Sequence, residues 1–484
     1  MKEPEKSART KAWVLALTSI ASFMAALDML VVTAALGTIR VDLGTSIEAL
    51  QWTVSAYNLS FAVLLLTGTA LGDRFGRRRV FVAGVALFAA ASAACAAASG
   101  VGGLIAARAL QGAGAALMIP LAMAILSATY SREERARALG IFGSVTGIAL
   151  IVGPVAGGAI AEGLNWQWIF WINIPIGGVV IALVLARIEE SFGSRAALDV
   201  PGIFLVTGGA LGVVWALMRG NDAGWASLEV LATLAAGLLL AVAFVLWELR
   251  AREPMVPMRL FRSRAFSTGV AASFLFYAAM YGILFLVPQF LQTAEGQGPL
   301  GAGLRLLPWT APLFVFAPIG GSLVNRLGER PLVVAGVLLQ AVGMAWIGLM
   351  ATPALGYASL VAPMIVAGAG VSMAMPAVQN AVLSAVPPAD IGKASGTFNM
   401  FRFLGGVFGI ALLVAVFAAR GSVASPEGFS AGFDSALGVA ALVSLAAAIV
   451  AIGLPARHKQ AAARKHDAEQ QDSLLPRNRV FKRT

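Results

Sequence analysis

Two ionisable side chains fall inside stretches made for lipid. Asp28 stands in SFMAALDMLVVTAAL, Ser22 to Leu36, and Arg108 in ARALQGAGAAL, Ala107 to Leu117. A charge in hydrocarbon is costly, needs a partner or a wet cavity, and marks function by default. Counting helical rise from the ends of the two apolar segments puts Asp28 about 12 Å and Arg108 about 9 Å below the same membrane surface, nearly one level. Burial discourages a carboxylate from ionising and a neighbouring arginine encourages it, so access to water or to a cationic ligand could switch such a group between its two forms. The chemistry on offer is proton binding at Asp28 with Arg108 as its partner. The competing reading is a charge pair that glues helices together, or polar groups that only line a cavity.

Other chemistries lack their residues. Cys95 is the single cysteine, so neither a disulfide nor a thiolate metal site forms within the chain. Both histidines, His458 and His466, lie near the C-terminus, which leaves no imidazole in the apolar stretches for a proton relay or a metal. Gly392 and Lys393 lack both the upstream glycine and the following hydroxyl of a phosphate-binding loop. No metal site and no cofactor is expected, and proton chemistry falls to carboxylates.

The elements that must position Asp28 and Arg108 are membrane helices. Of 484 residues 59% are hydrophobic and 12% charged, with mean hydropathy +0.83, against roughly a quarter charged in soluble domains. The net charge of +11 sits in short loops and the tail, between apolar runs, which argues against nucleic-acid binding. Segments of about 20 apolar residues, each long enough as a helix to cross about 30 Å of hydrocarbon, fall at 12–36, 50–71, 80–99, 102–126, 138–161, 168–186, 199–218, 228–247, 266–291, 303–324, 331–351, 357–382, 394–418 and 433–454. The first is too long for a signal-peptide core. With fourteen spans, 29 of the 35 Lys and Arg fall on one face and three, Arg40, Arg219 and Arg420, on the other, with Arg108, Arg305 and Arg402 in spans. That asymmetry predicts both termini in the cytoplasm of a multi-pass cell-membrane protein.

The chain repeats itself. GTALGDRFGRRR, Gly68 to Arg79, follows the second span, and GGSLVNRLGERP, Gly320 to Pro331, follows the tenth, with Asn325, Arg326 and Gly328 in register with Asp73, Arg74 and Gly76. Two related halves follow, with two extra spans between them. Six strings in order, LDMLVVTAAL, GDRFGRRR, RALQGAGAAL, GIALIVGPVAGG, WQWIFWINIPIG and EPMVPMRLFRSRAF, make the chain resemble the major facilitator superfamily, and within it the fourteen-span drug:proton antiporters, from about Lys11 to Pro455. Thr69, Gln167, Thr33 and Gly37 stand where that pattern usually has glycine, arginine, asparagine and proline.

The resemblance implies an all-α integral membrane fold of two six-helix bundles around a central cavity that opens alternately to either side. The domains expected are a cytoplasmic segment 1–11, an N-terminal bundle 12–187, a linker 188–265 carrying the extra spans 199–218 and 228–247, a C-terminal bundle 266–455, and a disordered cytoplasmic tail 456–484. It also implies site residues. Gly147, Gly153, Pro154, Gly157 and Gly158 match the antiporter motif of the fifth span, where small residues allow close helix approach and proline frees a backbone carbonyl. Asp73, Arg74, Gly76 and Arg77 match a cytoplasmic latch between bundles, although as topogenic charge they need no further role.

Candidate cavity residues are Gln51, Trp52, Asn58 and Gln111 in the first half and Tyr277, Tyr281, Gln289, Gln379, Asn380 and Arg402 in the second, with interhelical hydrogen bonding or, for Arg402, snorkelling to the cytoplasmic interface as alternatives. The expected function is proton-coupled efflux of hydrophobic drugs or toxic small molecules, cationic ones among them, by a protein working as a monomer in the bilayer with protons and a small molecule as its partners. An uptake facilitator or proton symporter of the same fold is the alternative, against which GPVAGG argues. An enzyme or receptor lacks its parts, since no nucleophile with a base, no metal-ligand set and no sizeable soluble domain occurs.

Overall fold

The computed structural model describes residues 3–193, 198–352, 356–387 and 390–455. The tail at 456–484, expected to be disordered, lies outside the described residues. Every apolar segment becomes a helix, and the described residues contain no strand, because only helices or closed barrels satisfy the backbone in lipid. The spans are Arg9–Asp42 (span 1), Ile47–Phe75 (span 2), Arg77–Ala96 (span 3), Val101–Thr129 (span 4), Arg137–Gly163 (span 5), Trp168–Arg187 (span 6), Val200–Ala223 (span 7), Leu228–Glu248 (span 8), Arg264–Thr293 (span 9), Pro299–Val324 (span 10), Glu329–Met350 (span 11), Tyr357–Leu383 (span 12), Ile391–Arg420 (span 13) and Pro426–Ala451 (span 14). The helix of span 1 already begins at Glu3, so the expected separate segment 1–11 is largely its continuation.

Caps and prolines set several ends. Ser46, Ser131, Asp199, Ser227, Ser263 and Ser425 each accept a backbone N–H of the turn they precede. The cap at Ser425, with Pro426 next to it, starts span 14 seven residues before the apolar run that the sequence alone marks. Span 10 is three pieces, Pro299–Arg305, Leu307–Thr310 and Pro312–Leu327. Pro308 and Pro312 remove helix donors there, so the chain bends where hydropathy shows one stretch.

The internal repeat is visible in the packing. Span 4 packs on spans 2 and 3, span 5 on span 1, and span 6 on spans 1 and 3. Eight spans further on, span 12 packs on 10 and 11, span 13 on 9, and span 14 on 9 and 11. The two matching loops turn in the same way, with Gly76 at φ +108° and Gly328 at φ +85°, a region that glycine enters without steric cost. Both six-span bundles are therefore copies of one arrangement. Between them span 2 meets span 13, span 5 meets span 10, and span 1 meets span 9. Spans 7 and 8 pair with each other, and span 7 covers the seam of spans 2 and 13, where Val206, Ala210 and Val214 bury against Leu59, Val63, Leu404 and Val407.

Candidate functional site

Span 1 carries Asp28 into the middle of the first bundle, where the residue is 2% exposed. Span 4 brings Arg108 and Gln111, three residues apart and so on one face of the helix. Arg108 Nη1 donates to Asp28 Oδ2 at 2.5 Å and to Gln111 Oε1 at 2.6 Å, while Gln111 Nε2 donates to Asp28 Oδ1 at 2.8 Å. Span 6 breaks at Ile172, and Asn173, the first residue of its second helix, donates to Asp28 Oδ1 at 3.0 Å. Ser92 of span 3 accepts from both amides, at 2.7 Å from Gln111 and 2.9 Å from Asn173. Span 2 contributes a carbonyl, Thr53 O, to Arg108 Nε at 3.1 Å, and the Tyr57 ring, whose centroid lies 4.3 Å from the guanidinium carbon.

Five spans thus converge on one carboxylate. Asp28 accepts hydrogen bonds from three side chains, Arg108, Gln111 and Asn173. The expected meeting of Asp28 and Arg108 at one depth is what the structure has, and Gln111, expected in the cavity, is their bridge. The Asp28 side chain is fully buried in this conformation. Asn173, Ser92, Thr53 and Tyr57 are residues that the sequence reading does not single out; the signal for Asn173 is a polar side chain within WINIPIG, and for Ser92 there is none beyond a hydroxyl in an alanine run. One atom of the cluster is unsatisfied: Arg108 Nη2 is buried without a hydrogen-bond partner.

The fifth-span motif packs directly behind this cluster. A Cβ on Gly153 would stand 2.5 Å from Leu30 Cβ, and one on Gly157 would stand 2.5 Å from Val31 O. Leu30 and Val31 follow Asp28 by two and three residues. On its other side the motif meets the second bundle, with Gly158 against the Pro299 carbonyl and Gly303 against the Pro154 carbonyl. Glu162 accepts from Leu300 N at 3.0 Å, and Gln292 Nε2 donates to Ala34 O at 2.8 Å. Gly37, found where the family pattern has proline, leaves room for the Gln292 side chain. These contacts close the face poor in basic residues. Toward the basic face span 10 leaves span 5, and Pro312–Leu327 packs on spans 11 and 12. A Cβ on Gly147 would meet nothing within 4 Å.

At the basic face, Asp73 pairs with Arg77 at 2.8 Å, and the loop is tied to the segment after span 6: Arg77 N donates to Ser191 O at 2.8 Å, and Arg78 N and Arg79 N donate to Glu190 at 2.8 and 3.2 Å. Glu190 therefore caps span 3, whose own preceding residue, Gly76, has no side chain to do so. Arg74 lies over the Phe75 ring. The contacts that Asp73, Gly76 and Arg77 make here stay within the first half of the chain. Nearby, the Lys11 ammonium bonded to Glu134 at 2.6 Å holds that carboxyl below its usual range.

The remaining candidates scatter. Gln51 and Asn58 are fully buried with no hydrogen-bond partner for either amide. Trp52 packs on Trp215 of span 7, ring centroids 6.3 Å apart, and so faces an extra span. Gln289 bonds its own helix at Phe285 O. Asn380 donates to Glu329 at the basic end, and Gln379 is exposed. Tyr277, Tyr281 and Arg402 come together in the second bundle. Arg305, placed inside a span by the sequence reading, lies near the start of span 10, bonded to Gln297 and over the Tyr357 ring.

The sequence model of the Major Facilitator Superfamily matches residues 18–410 and 272–484. The chain belongs to that superfamily. It is 34% identical over 415 residues to the multidrug resistance protein Stp of Mycobacterium tuberculosis, covering 85% of this chain and 76% of that protein, and 35% identical to the cephamycin export protein CmcT of Amycolatopsis lactamdurans, covering 93% of each. The multidrug transporter protein MdtP of Bacillus subtilis is 34% identical over 426 residues, or 87% of this chain and 77% of that protein. Among solved structures, an auto-inhibited peptide transporter of the POT family superposes with TM-score 0.68 over 92% of this chain and 96% of that one at 16% identity, and the nucleoside transporter NupG with 0.67 over 92% and 99% at 12%. These last two show a shared fold. The transporter is a multi-pass protein of the cell membrane, and its relatives named for resistance and export support drug efflux.

Proposed function

We propose that the transporter exports hydrophobic small molecules, drugs among them, in exchange for protons, working as a monomer with both termini in the cytoplasm and alternating access between its two bundles. The observation that carries this reading is the Asp28–Arg108–Gln111 cluster, a fully buried carboxylate with a single charged partner, placed directly against the fifth-span glycines that meet the second bundle. With the basic face taken as cytoplasmic, spans 5 and 10 meet on the outer side, through Gly158 and Gly303, and we take the present conformation as inward-facing, with Asp28 paired to Arg108. Once the transporter has turned outward, a proton on Asp28 Oδ2 takes the place of the Arg108 hydrogen bond, frees the guanidinium and loosens span 1 from span 4. On return, Arg108 re-pairs with Asp28 and the proton leaves to the cytoplasm. A cationic drug competes with Arg108 for the same oxygen, which would make proton and drug mutually exclusive.

The test is transport in proteoliposomes under an imposed pH gradient, wild type against Asp28→Asn. Loss of gradient-driven efflux with binding of a neutral drug retained supports the proposal. Undiminished efflux by the variant overturns it.

A further inference from the structure

The second bundle contains an arginine of a different kind. Arg402 sits in span 13, eleven residues past Ile391 and so about 17 Å along the helix from its basic end. Its guanidinium carbon lies 4.7 Å from the Tyr277 ring centroid and 5.2 Å from that of Phe403, and Nη2 donates to the Tyr281 hydroxyl at 3.5 Å. Nε is buried and has no hydrogen-bond partner. No carboxylate among the described residues forms an ion pair with it, whereas Arg108 has Asp28. Arg402 does not snorkel along its own helix to the basic face; it points at two tyrosines of span 9, one 1% and one 5% exposed. Gly406 makes this possible, since a Cβ there would stand 2.7 Å from the Tyr281 ring.

Ring faces can balance part of a positive charge, but they do not accept the in-plane N–H bonds of a guanidinium fork. A carboxylate does both, in two parallel bonds. Arg402 is itself partly exposed. Beside it the Phe403 ring meets Phe61 of span 2 edge-on, centroids 4.4 Å apart, which places an aromatic wall of the first bundle next to the cation of the second. We propose that Arg402, with Tyr277, Tyr281, Phe403 and Phe61, forms a subsite that takes the anionic end of an aromatic organic acid. This rests on the export reading and extends its substrate class from hydrophobic and cationic molecules to aromatic anions. An occupant held there touches both bundles, so it senses their relative position.

The experiment measures equilibrium binding to the purified full-length transporter of two probes of one shape, 2-naphthoate and its neutral amide 2-naphthamide. The wild type is expected to bind the acid at least about tenfold more tightly, the size of one net charge-assisted contact. Arg402→Gln is expected to lose that preference, and Arg402→Lys, which keeps the charge without the fork, to retain part of it. Equal affinity of the wild type for acid and amide overturns the proposal whatever the variants do, as does an undiminished preference in Arg402→Gln. Binding needs no pH gradient, so this result is independent of the Asp28 transport assay: an anion preference without gradient-driven efflux would strike the export reading and leave the subsite standing.

Discussion

Leu30 of span 1 and Gly153 of span 5 touch backbone to side chain, at a point two residues from Asp28, so that a Cβ on the glycine would stand 2.5 Å from Leu30 Cβ. Gly153→Ala must push span 5 off span 1, and forcing an extra methyl into such a contact costs about 1–3 kcal/mol. The variant is expected to melt at lower temperature and to lose efflux. Because the collision is with Leu30 Cβ itself, Leu30→Ala should not rescue it and Leu30→Gly should restore part of the activity. Rescue by Leu30→Ala would show that the contact is looser than described. Gly147, which meets nothing, provides the control, and Gly147→Ala is expected to transport as the wild type does.

Depth was readable before the structure and direction around the helix was not. Helical rise alone brings Asp28 and Arg108 to one level, and hydropathy marks all fourteen spans, because both depend on one coordinate along the membrane normal. Which way a side chain points depends on how helices pack. Trp52 and Gln289 read as equally good cavity residues, yet one packs at a tilt on Trp215 of an extra span and the other bonds its own backbone. Arg402 reads equally well as a snorkelling residue, and only the packing, in which Gly406 admits the Tyr281 ring, turns it inward. Asn173 and Glu190 escaped because their partners lie 145 and 112 residues away, a distance no local pattern spans. The breaks in span 10 were legible only as prolines.

Phe61 and Phe403 form an edge-on pair across the two bundles, worth about 0.5–1.5 kcal/mol beyond the area they bury. The double variant Phe61→Ala, Phe403→Ala is expected to shift the conformational equilibrium several-fold away from the present state. Spin labels at the exposed Ile141 and Ile319, introduced as cysteines with Cys95→Ala, read the opening between spans 5 and 10 as a distance distribution. The prediction is that the population with these labels far apart falls. An unchanged distribution means that the pair packs equally well in both states.

Glu190 satisfies two backbone donors at the start of span 3 and lies 3.9 and 3.7 Å from the Arg78 and Arg79 side chains. Losing a helix cap of this type costs about 0.5–2 kcal/mol. Glu190→Ala is therefore expected to lower the thermal midpoint, whereas Glu189→Ala, at an exposed neighbour, should leave it unchanged. Equal effects of the two substitutions would reduce Glu190 to one more surface charge.

Arg108 and Asp28 have side chains 1% and 0% exposed, 2.5 Å apart. Removing one member leaves the other charged and buried without a partner, which costs about 3–5 kcal/mol, whereas removing both is often close to neutral. Thermal unfolding of Asp28→Asn, Arg108→Gln and the double variant should thus be strongly non-additive, with the double variant more stable than Arg108→Gln alone. Asp28→Asn is expected to be the milder single change, because the Asn amide can still bond Gln111 and Asn173 while Arg108 keeps Thr53 O and the Tyr57 ring. Transport separates stability from coupling: the double variant should fold and bind drug and yet show no gradient-driven efflux. Additive destabilisation would mean that the two charges are held by their other partners and not by each other, and a proton on Asp28 would then have no means of releasing Arg108.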